Sequence, residues 1–173
     1  MIEAFRRYGK QFDFDPLMVA AQAYQESGLD QSKRSHVGAV GVMQVMPTTA
    51  ADRRVNIKDI EKLEQNILAG TKYLRLLEDD YFNDPGISKV DKMLFTFAAY
   101  NAGPARIQGL RRDAPKHGLD PNKWFQNVEV MASRRIGRET VQYVSNIYKY
   151  YLAYQLVIGD TQTKEQAKKK MTT

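Results

Sequence analysis

The sequence predicts one mostly α-helical domain, and three observations carry that reading. Apolar residues recur at three- and four-residue spacing over several long segments. Helix punctuation, a cap followed by proline or a stop glycine, repeats along the chain, while period-two alternation is scarce. The length of 173 residues suits a single domain with a core of its own, and no repeat or linker divides it.

Asp15-Pro16 places a capping side chain before proline at the first helical position, and Gly28 is a stop, so a helix is predicted from Pro16 to Ser27. Leu17, Ala20, Ala21 and Tyr24 are expected to share its buried side. Val40 to Val45 is the one stretch suited to extension, so at most a very short β element is expected. Ile60, Leu63, Ile67, Leu74 and Leu77 recur at helical spacing and predict a long amphipathic helix to about Asp80. Ser88 with Asp91 opens an apolar helix through Tyr100, which Gly103-Pro104 breaks and Pro104 restarts. Asp120-Pro121 repeats the cap-and-proline device before Trp124, Phe125, Val128 and Met131. The last helix runs from Arg138 past Leu156, with Val141, Val144, Ile147, Tyr148 and Tyr151 on its apolar side. Beyond Ile158 the chain turns basic, with Lys164, Lys168, Lys169 and Lys170 around Glu165. The domain is therefore expected to span residues 1–158, with 159–173 a disordered tail.

Composition removes several function classes. With 43% hydrophobic and 27% charged residues the chain is folded and globular rather than disordered. Its longest apolar stretch, Tyr151 to Ile158, is too short to span a bilayer and contains Gln155. Arg6, Arg7 and Lys10 precede no apolar signal segment, so the chain is expected to be cytosolic or a domain of a longer protein. Cysteine is absent, which excludes disulfides, thiolate metal sites and a cysteine nucleophile. His36 and His117 lie in polar stretches and are read as solvated loop residues, so no metal is expected. The net charge of +6, with a cluster at Arg134, Arg135 and Arg138, suits a polyanionic partner. No nucleic-acid-binding signature accompanies it, so nucleic acid is not expected and a cell-wall glycan is an equally simple partner.

One feature carries chemistry. In Ala23-Tyr24-Gln25-Glu26-Ser27-Gly28-Leu29 an ionisable carboxylate closes an apolar helix just before its glycine stop. Partial burial and the negative end of the helix dipole both disfavour the charged form, so Glu26 is expected to hold its proton to higher pH than a free glutamate. Such a group can protonate a leaving-group oxygen; the alternative is an exposed glutamate near a helix end. Downstream come Ser35, the turn Gly38-Ala39-Val40-Gly41, Gln44-Val45-Met46-Pro47 and Ala99-Tyr100-Asn101-Ala102-Gly103-Pro104.

In that order, these motifs resemble the catalytic domain of the soluble-type lytic transglycosylases, the goose-type lysozyme-like enzymes of glycoside hydrolase family 23. The resemblance runs from Phe14 to Tyr154 and is closest, through Asp13-Phe14-Asp15-Pro16-Leu17 and the glutamate motif, to the membrane-bound murein transglycosylase F subgroup. It implies a lysozyme-like helical fold and a bacterial, periplasmic enzyme acting on peptidoglycan without a cofactor, outer-membrane associated through segments outside this chain and monomeric. Glu26 would then be the acid and later the base, and Ser35 would hydrogen-bond the substrate. Gln44 and Met46 would line the sugar groove, with the backbone at Gly41 approaching closely. Tyr100 and Asn101 would form the opposite wall, and Glu139, in Arg138-Glu139-Thr140-Val141-Gln142-Tyr143-Val144, would support the groove or contact stem peptide. Each role has a plainer counterpart: Met46 and Tyr100 suit a core, Gln44 can cap the turn after Gly41, and Glu139 can serve the dipole of the last helix.

The reaction follows from what the loop lacks. Glycosidases generally use two carboxylates, yet Gln31 to Ala51 contains none. Asp30 is too near Glu26 in sequence to sit across a sugar ring from it. A lone acid implies a substrate that supplies its own nucleophile, either the sugar's 2-acetamido group or its 6-hydroxyl. The resemblance names the muramyl 6-hydroxyl, closing a 1,6-anhydro ring after cleavage between N-acetylmuramic acid and N-acetylglucosamine. The rival readings are a lysozyme or chitinase using Asp52 as base, a glycan-binding module without chemistry, and a nucleic-acid binder suggested only by charge.

Overall fold

Local cap chemistry sets several helix boundaries. In the computed structural model, which describes residues 1–171, α1 is Ile2–Gln11, α2 Pro16–Ser27, α3 Pro47–Ala51 and α4 Leu63–Tyr81. These are followed by α5 Lys89–Ala102, α6 Pro104–Asp113, α7 Glu129–Arg135 and α8 Arg138–Met171. The Asp15 carboxylate accepts from the Leu17 amide at 2.9 Å, and Gly28 ends α2 at φ 69°. The Ser88 hydroxyl accepts from the Asp91 amide at 3.1 Å to start α5. No strand forms among the described residues; Val40 makes isolated antiparallel bridges to Arg34 and Val45.

α5 is the central helix. Met93 through Ala99 are buried without interruption, the pattern of a helix enclosed on all sides. It packs against α4, α6 and α8, while α2 makes its broadest contact with α8. Phe82, Phe95 and Trp124 form the aromatic centre, with Phe95 5.6 Å from Phe82 and 6.0 Å from Trp124. The nearly buried Arg111 guanidinium lies 5.0 Å from the Phe95 ring centroid and pairs with Asp84 at 3.0 Å.

Three expectations need correction, and two helices were missed. α2 does not bury Tyr24, which is 43% exposed and meets the Tyr150 ring edge-on at 4.8 Å. Its buried face is Met18, Val19, Gln22 and Ala23, and only Ala21 of the predicted set is fully buried. Leu17 through Ala21 is apolar at every position, so periodicity alone could not orient the helix. Asp120-Pro121 opens a turn rather than a helix, with Asp120 Oδ1 accepting from the Asn122 amide at 2.8 Å. The chain then passes through a π-type segment, Trp124–Val128, broken at Phe125 and Gln126, before α7 begins. Burial of Trp124, whose amide bonds Asp91 Oδ1 at 2.9 Å, outweighs regular helix geometry there.

The remaining corrections concern elements missed or extended. α1 was not anticipated, although Ala4, Phe5 and Tyr8 form a buried stripe among basic residues, and neither was the short α3. Where disorder was expected after residue 158, α8 continues through Met171. The Thr161 and Thr163 hydroxyls bond back to the carbonyls of Val157 and Gly159 at 2.9 Å, and the Lys, Gln, Glu and Ala residues there are good helix formers. Residues 159–170 are all exposed.

Candidate active site

Met18, Gln22 and Glu26 follow one another at four-residue spacing down the inward face of α2, so the last turn aims the half-buried Glu26 toward α8. The hydroxyl of Tyr143, buried on α8, donates to Glu26 Oε1 at 2.5 Å. The same hydroxyl accepts from Gln22 Nε2 at 3.1 Å. From the loop after α2, the Lys33 ammonium donates to the Glu26 carbonyl at 2.6 Å. Burial pushes the Glu26 carboxyl up to about 7, against the Tyr143 hydrogen bond and the Lys33 charge, which both favour the ionised form. A carboxyl poised there can donate a proton and take one back near neutral pH.

The loop facing this acid is clamped from α4. Asn66 is fully buried; its Oδ1 accepts from the Met43 amide at 2.8 Å, and its Nδ2 donates to the carbonyls of Val40 and Ile60 at 2.8 and 2.9 Å. Gln31 adds a second clamp, accepting from Val42 N and donating to Ile60 O, each at 3.1 Å. Gly41 lies between the two at φ +78°, where an added Cβ would come within 2.5 Å of Gln31 Nε2 and 2.6 Å of Asn66 Nδ2. The Ser27 hydroxyl reaches Val42 O at 2.9 Å and so ties the loop to α2 beside Glu26.

The predicted site residues separate into two groups. Tyr100 is brought in: its hydroxyl donates to the Met43 carbonyl at 2.7 Å, and burial first, then the nearby Glu26 charge, holds its proton well above the usual phenol range. Asn101 is exposed at the end of α5 and accepts from the Thr140 hydroxyl at 2.8 Å, which joins that wall to α8. Ser35 Oγ accepts from the Ala39 amide at 2.9 Å and keeps its own proton for another acceptor. Gln44, at φ 47°, donates its amide to the Gly41 carbonyl at 2.8 Å, the turn-capping alternative. Met46 is half-buried at the start of α3, and Glu139 is exposed in the first turn of α8.

Both rival carboxylates are engaged by local hydrogen bonds. Asp30 Oδ1 is engaged by the amide and hydroxyl of Ser32 at 2.8 and 2.7 Å, and those bonds hold its carboxyl below the usual range. Asp52 caps the Arg54 amide at 2.8 Å and lines a crevice with Thr48, Tyr73 and Asp80. A larger crevice, about 780 Å³, lies at the opposite end of α2 beside Asp15, Met18, Arg75 and Tyr151. Among the described residues no three of His, Cys, Asp and Glu converge to hold a metal ion.

Gln22, Asn66, Thr140 and Tyr143 were not foreseen. A tyrosine on the buried side of a long helix reads as core. Gln22 carried a usable signal, an amide inside the apolar run from Leu17 to Ala23. Its Oε1 is buried and unpartnered, a state that costs about 1–3 kcal/mol.

Comparison with known proteins agrees with this fold. The family model for the transglycosylase SLT domain matches residues 3–123, which include Glu26 and Tyr100 and end before α8. A membrane-bound lytic murein transglycosylase F of Desulfosudis oleivorans is 35% identical over 153 residues, 80% of this chain and 32% of that protein. Its counterpart in Vibrio cholerae is 32% identical over 176 residues, 94% of this chain and 32% of that protein. The chain thus spans about a third of the length of the curated relatives it matches. An inactive mutant of the lytic transglycosylase Slt from Pseudomonas aeruginosa superposes with a TM-score of 0.71 at 27% identity, over 91% of this chain and 24% of that one. The 70 kDa soluble lytic transglycosylase of Escherichia coli gives 0.63 at 27% identity, with the same coverage.

Proposed function

We propose that this chain, which belongs to the transglycosylase SLT domain family, cleaves the β-1,4 bond between N-acetylmuramic acid and N-acetylglucosamine in peptidoglycan as a lyase. The observation that carries the reading is the Glu26 carboxyl, buried to a pKa of about 7, held by Tyr143 at 2.5 Å and facing a loop without a second carboxylate. Glu26 gives its proton to the glycosidic oxygen as the C1–O bond breaks. The carboxylate then takes the proton of the muramyl 6-hydroxyl while O6 bonds to C1, closing the 1,6-anhydro ring. Glu26 ends protonated, no water is consumed, and no metal or organic cofactor takes part. Asp30 and Asp52, both committed to local amides, offer no base for a hydrolytic route.

Around this acid, Ser35 donates to the substrate beside the scissile bond, and Gly41, Gln44 and Met46 form one wall of the sugar groove. Tyr100 and Asn101 form the other, with Glu139 on the stem-peptide side. Residues 1–158 form the catalytic unit and 159–173 a basic extension. No helix among the described residues is long and apolar enough to cross a membrane. We assign the membrane attachment in the relatives' name to segments outside this chain, and we place the catalytic unit in the periplasm as a monomer.

Purified peptidoglycan tests the reading. The wild type should release anhydro-muropeptides, lighter by one water than hydrolysed fragments in mass spectrometry. Glu26→Gln should fold and release none. Hydrated products, or cleavage that survives in Glu26→Gln, would overturn it.

A further inference from the structure

Two hydrogen bonds in series end on the acid: Gln22 Nε2 to the Tyr143 oxygen at 3.1 Å, then the Tyr143 hydroxyl to Glu26 Oε1 at 2.5 Å. A phenol has one proton, and its O–H favours the ring plane, which offers two orientations. An ionised carboxylate only accepts, so with Glu26 charged the Tyr143 proton points to Oε1. With Glu26 protonated, a second arrangement competes. The hydroxyl turns away, Oε1 takes the acidic proton, and that proton is trapped against Tyr143. An N–H donated to the same phenol oxygen opposes this turn, because it would set donor against donor.

From this we infer that Gln22 is a positioning residue for the acid: its amide holds the Tyr143 hydroxyl on Oε1 and confines the catalytic proton of Glu26 to Oε2, the oxygen Tyr143 does not touch. The confinement matters in both halves of the reaction. In the first, the proton must sit on a free oxygen to reach the glycosidic bond. In the second, the same oxygen must be bare to receive the proton of the 6-hydroxyl.

The second observation is the orphan. Gln22 is fully buried among Met18, Val19 and Ala23, and its Oε1 has no hydrogen-bond partner. For packing alone an apolar side chain of the same length would be the more stable choice, because it leaves no polar atom unpaired. What Gln22 supplies and methionine cannot is the N–H to Tyr143. A local rule broken for one interaction with the acid's partner marks a functional position.

Other groups act on Glu26: Lys33 from the loop, Tyr143 from α8 and Tyr100 from α5, with Tyr73 of α4 acting on Tyr100; all but Tyr143 stay constant in the test. The catalytic consequence rests on the function proposed above; the hydrogen-bond consequence does not. The experiment compares Gln22→Met, Tyr143→Phe and the double variant by three measurements. These are thermal unfolding, 13C NMR titration of the Glu26 carboxyl in the free protein, and cleavage rates on soluble peptidoglycan strands across pH. Gln22→Met should unfold no earlier than the wild type. Its Glu26 should titrate at higher pH, because the Tyr143 bond to the carboxylate is weakened. Its kcat should fall about tenfold with KM within roughly twofold, the pattern of an interaction spent on the transition state. In the Tyr143→Phe background the same substitution should change neither titration nor rate. A Gln22→Met chain that is unstable or unfolded, one with unchanged titration, or an equal effect without the Tyr143 hydroxyl would overturn the inference. A wild type that cleaves no peptidoglycan would overturn the proposed function instead, and the titration would still decide on Gln22.

Discussion

At Glu26 two influences oppose each other, and their balance has a stability consequence that needs no substrate. Burial raises the carboxyl from 4.5 to about 7, while Tyr143 and Lys33 pull it down. The folded chain therefore binds a proton more tightly at this site than the unfolded chain does. The stabilisation is fully present below about pH 4.5 and is lost as pH rises through about 7. Glutamine mimics the neutral acid at every pH. Glu26→Gln should thus leave stability nearly unchanged near pH 4 and raise it by up to about 3 kcal/mol near pH 8.5, at roughly 1.4 kcal/mol per unit of pKa shift. Urea unfolding at the two pH values measures this, and a variant less stable at the higher pH would contradict it. Glu26 could be found in the sequence because an ionisable group closing an apolar helix is conspicuous by itself. Tyr143 could not, since its role exists only through a partner 117 residues away.

Among the elements, the loop from Asp30 to Met46 depends on one side chain outside it. Asn66 on α4 supplies three hydrogen bonds to backbone groups of Val40, Met43 and Ile60. Alanine there would leave the buried Met43 amide unpaired, at about 1–3 kcal/mol, while the carbonyls of Val40 and Ile60 keep the Val45 amide and Gln31 Nε2. Asn66→Ala should therefore lose at least about 1 kcal/mol in chemical denaturation. It should also lose cleavage, because the Met43 carbonyl that orients Tyr100 belongs to the same loop. An intact rate in a folded Asn66→Ala variant would show that the loop positions nothing. Gly41→Ala tests the same contact from the other side, since its Cβ would collide with the Asn66 and Gln31 amides at φ +78° and should destabilise the chain to a similar degree. This scale also separates what the sequence could reveal from what it could not. The ends of α2 and the start of α5 were legible because Asp15, Pro16, Gly28 and Ser88 act on their nearest neighbours. The break at Phe125 and Gln126 was not, because neighbouring Trp124 is held in the core by Asp91 and Phe95 of α5, which are distant in sequence.

For the molecule as a whole, α8 does two different things along its length. Its first half supplies Thr140 to Asn101, Tyr143 to Glu26 and Ile147 to the core, so it completes the site as it closes the fold. Its last turns leave the body: residues 159–170 are exposed throughout and carry Lys164, Lys168, Lys169 and Lys170. Exposed charges contribute little to folding, typically below about 1 kcal/mol per pair, but they add to long-range attraction for an anionic polymer. Deleting residues 159–173 should therefore leave the thermal midpoint within about 2 °C of the intact chain, since ~1 kcal/mol shifts a domain of this size by only a few degrees. It should leave kcat unchanged while weakening retention on insoluble peptidoglycan at low salt. Raising the salt toward 0.5 M should erase the difference between the two forms, because exposed charges are screened over a few ångströms there. A large fall in the midpoint would mean that the extension packs on the domain. An equal loss of retention at high salt would mean that it binds glycan by contact rather than by charge.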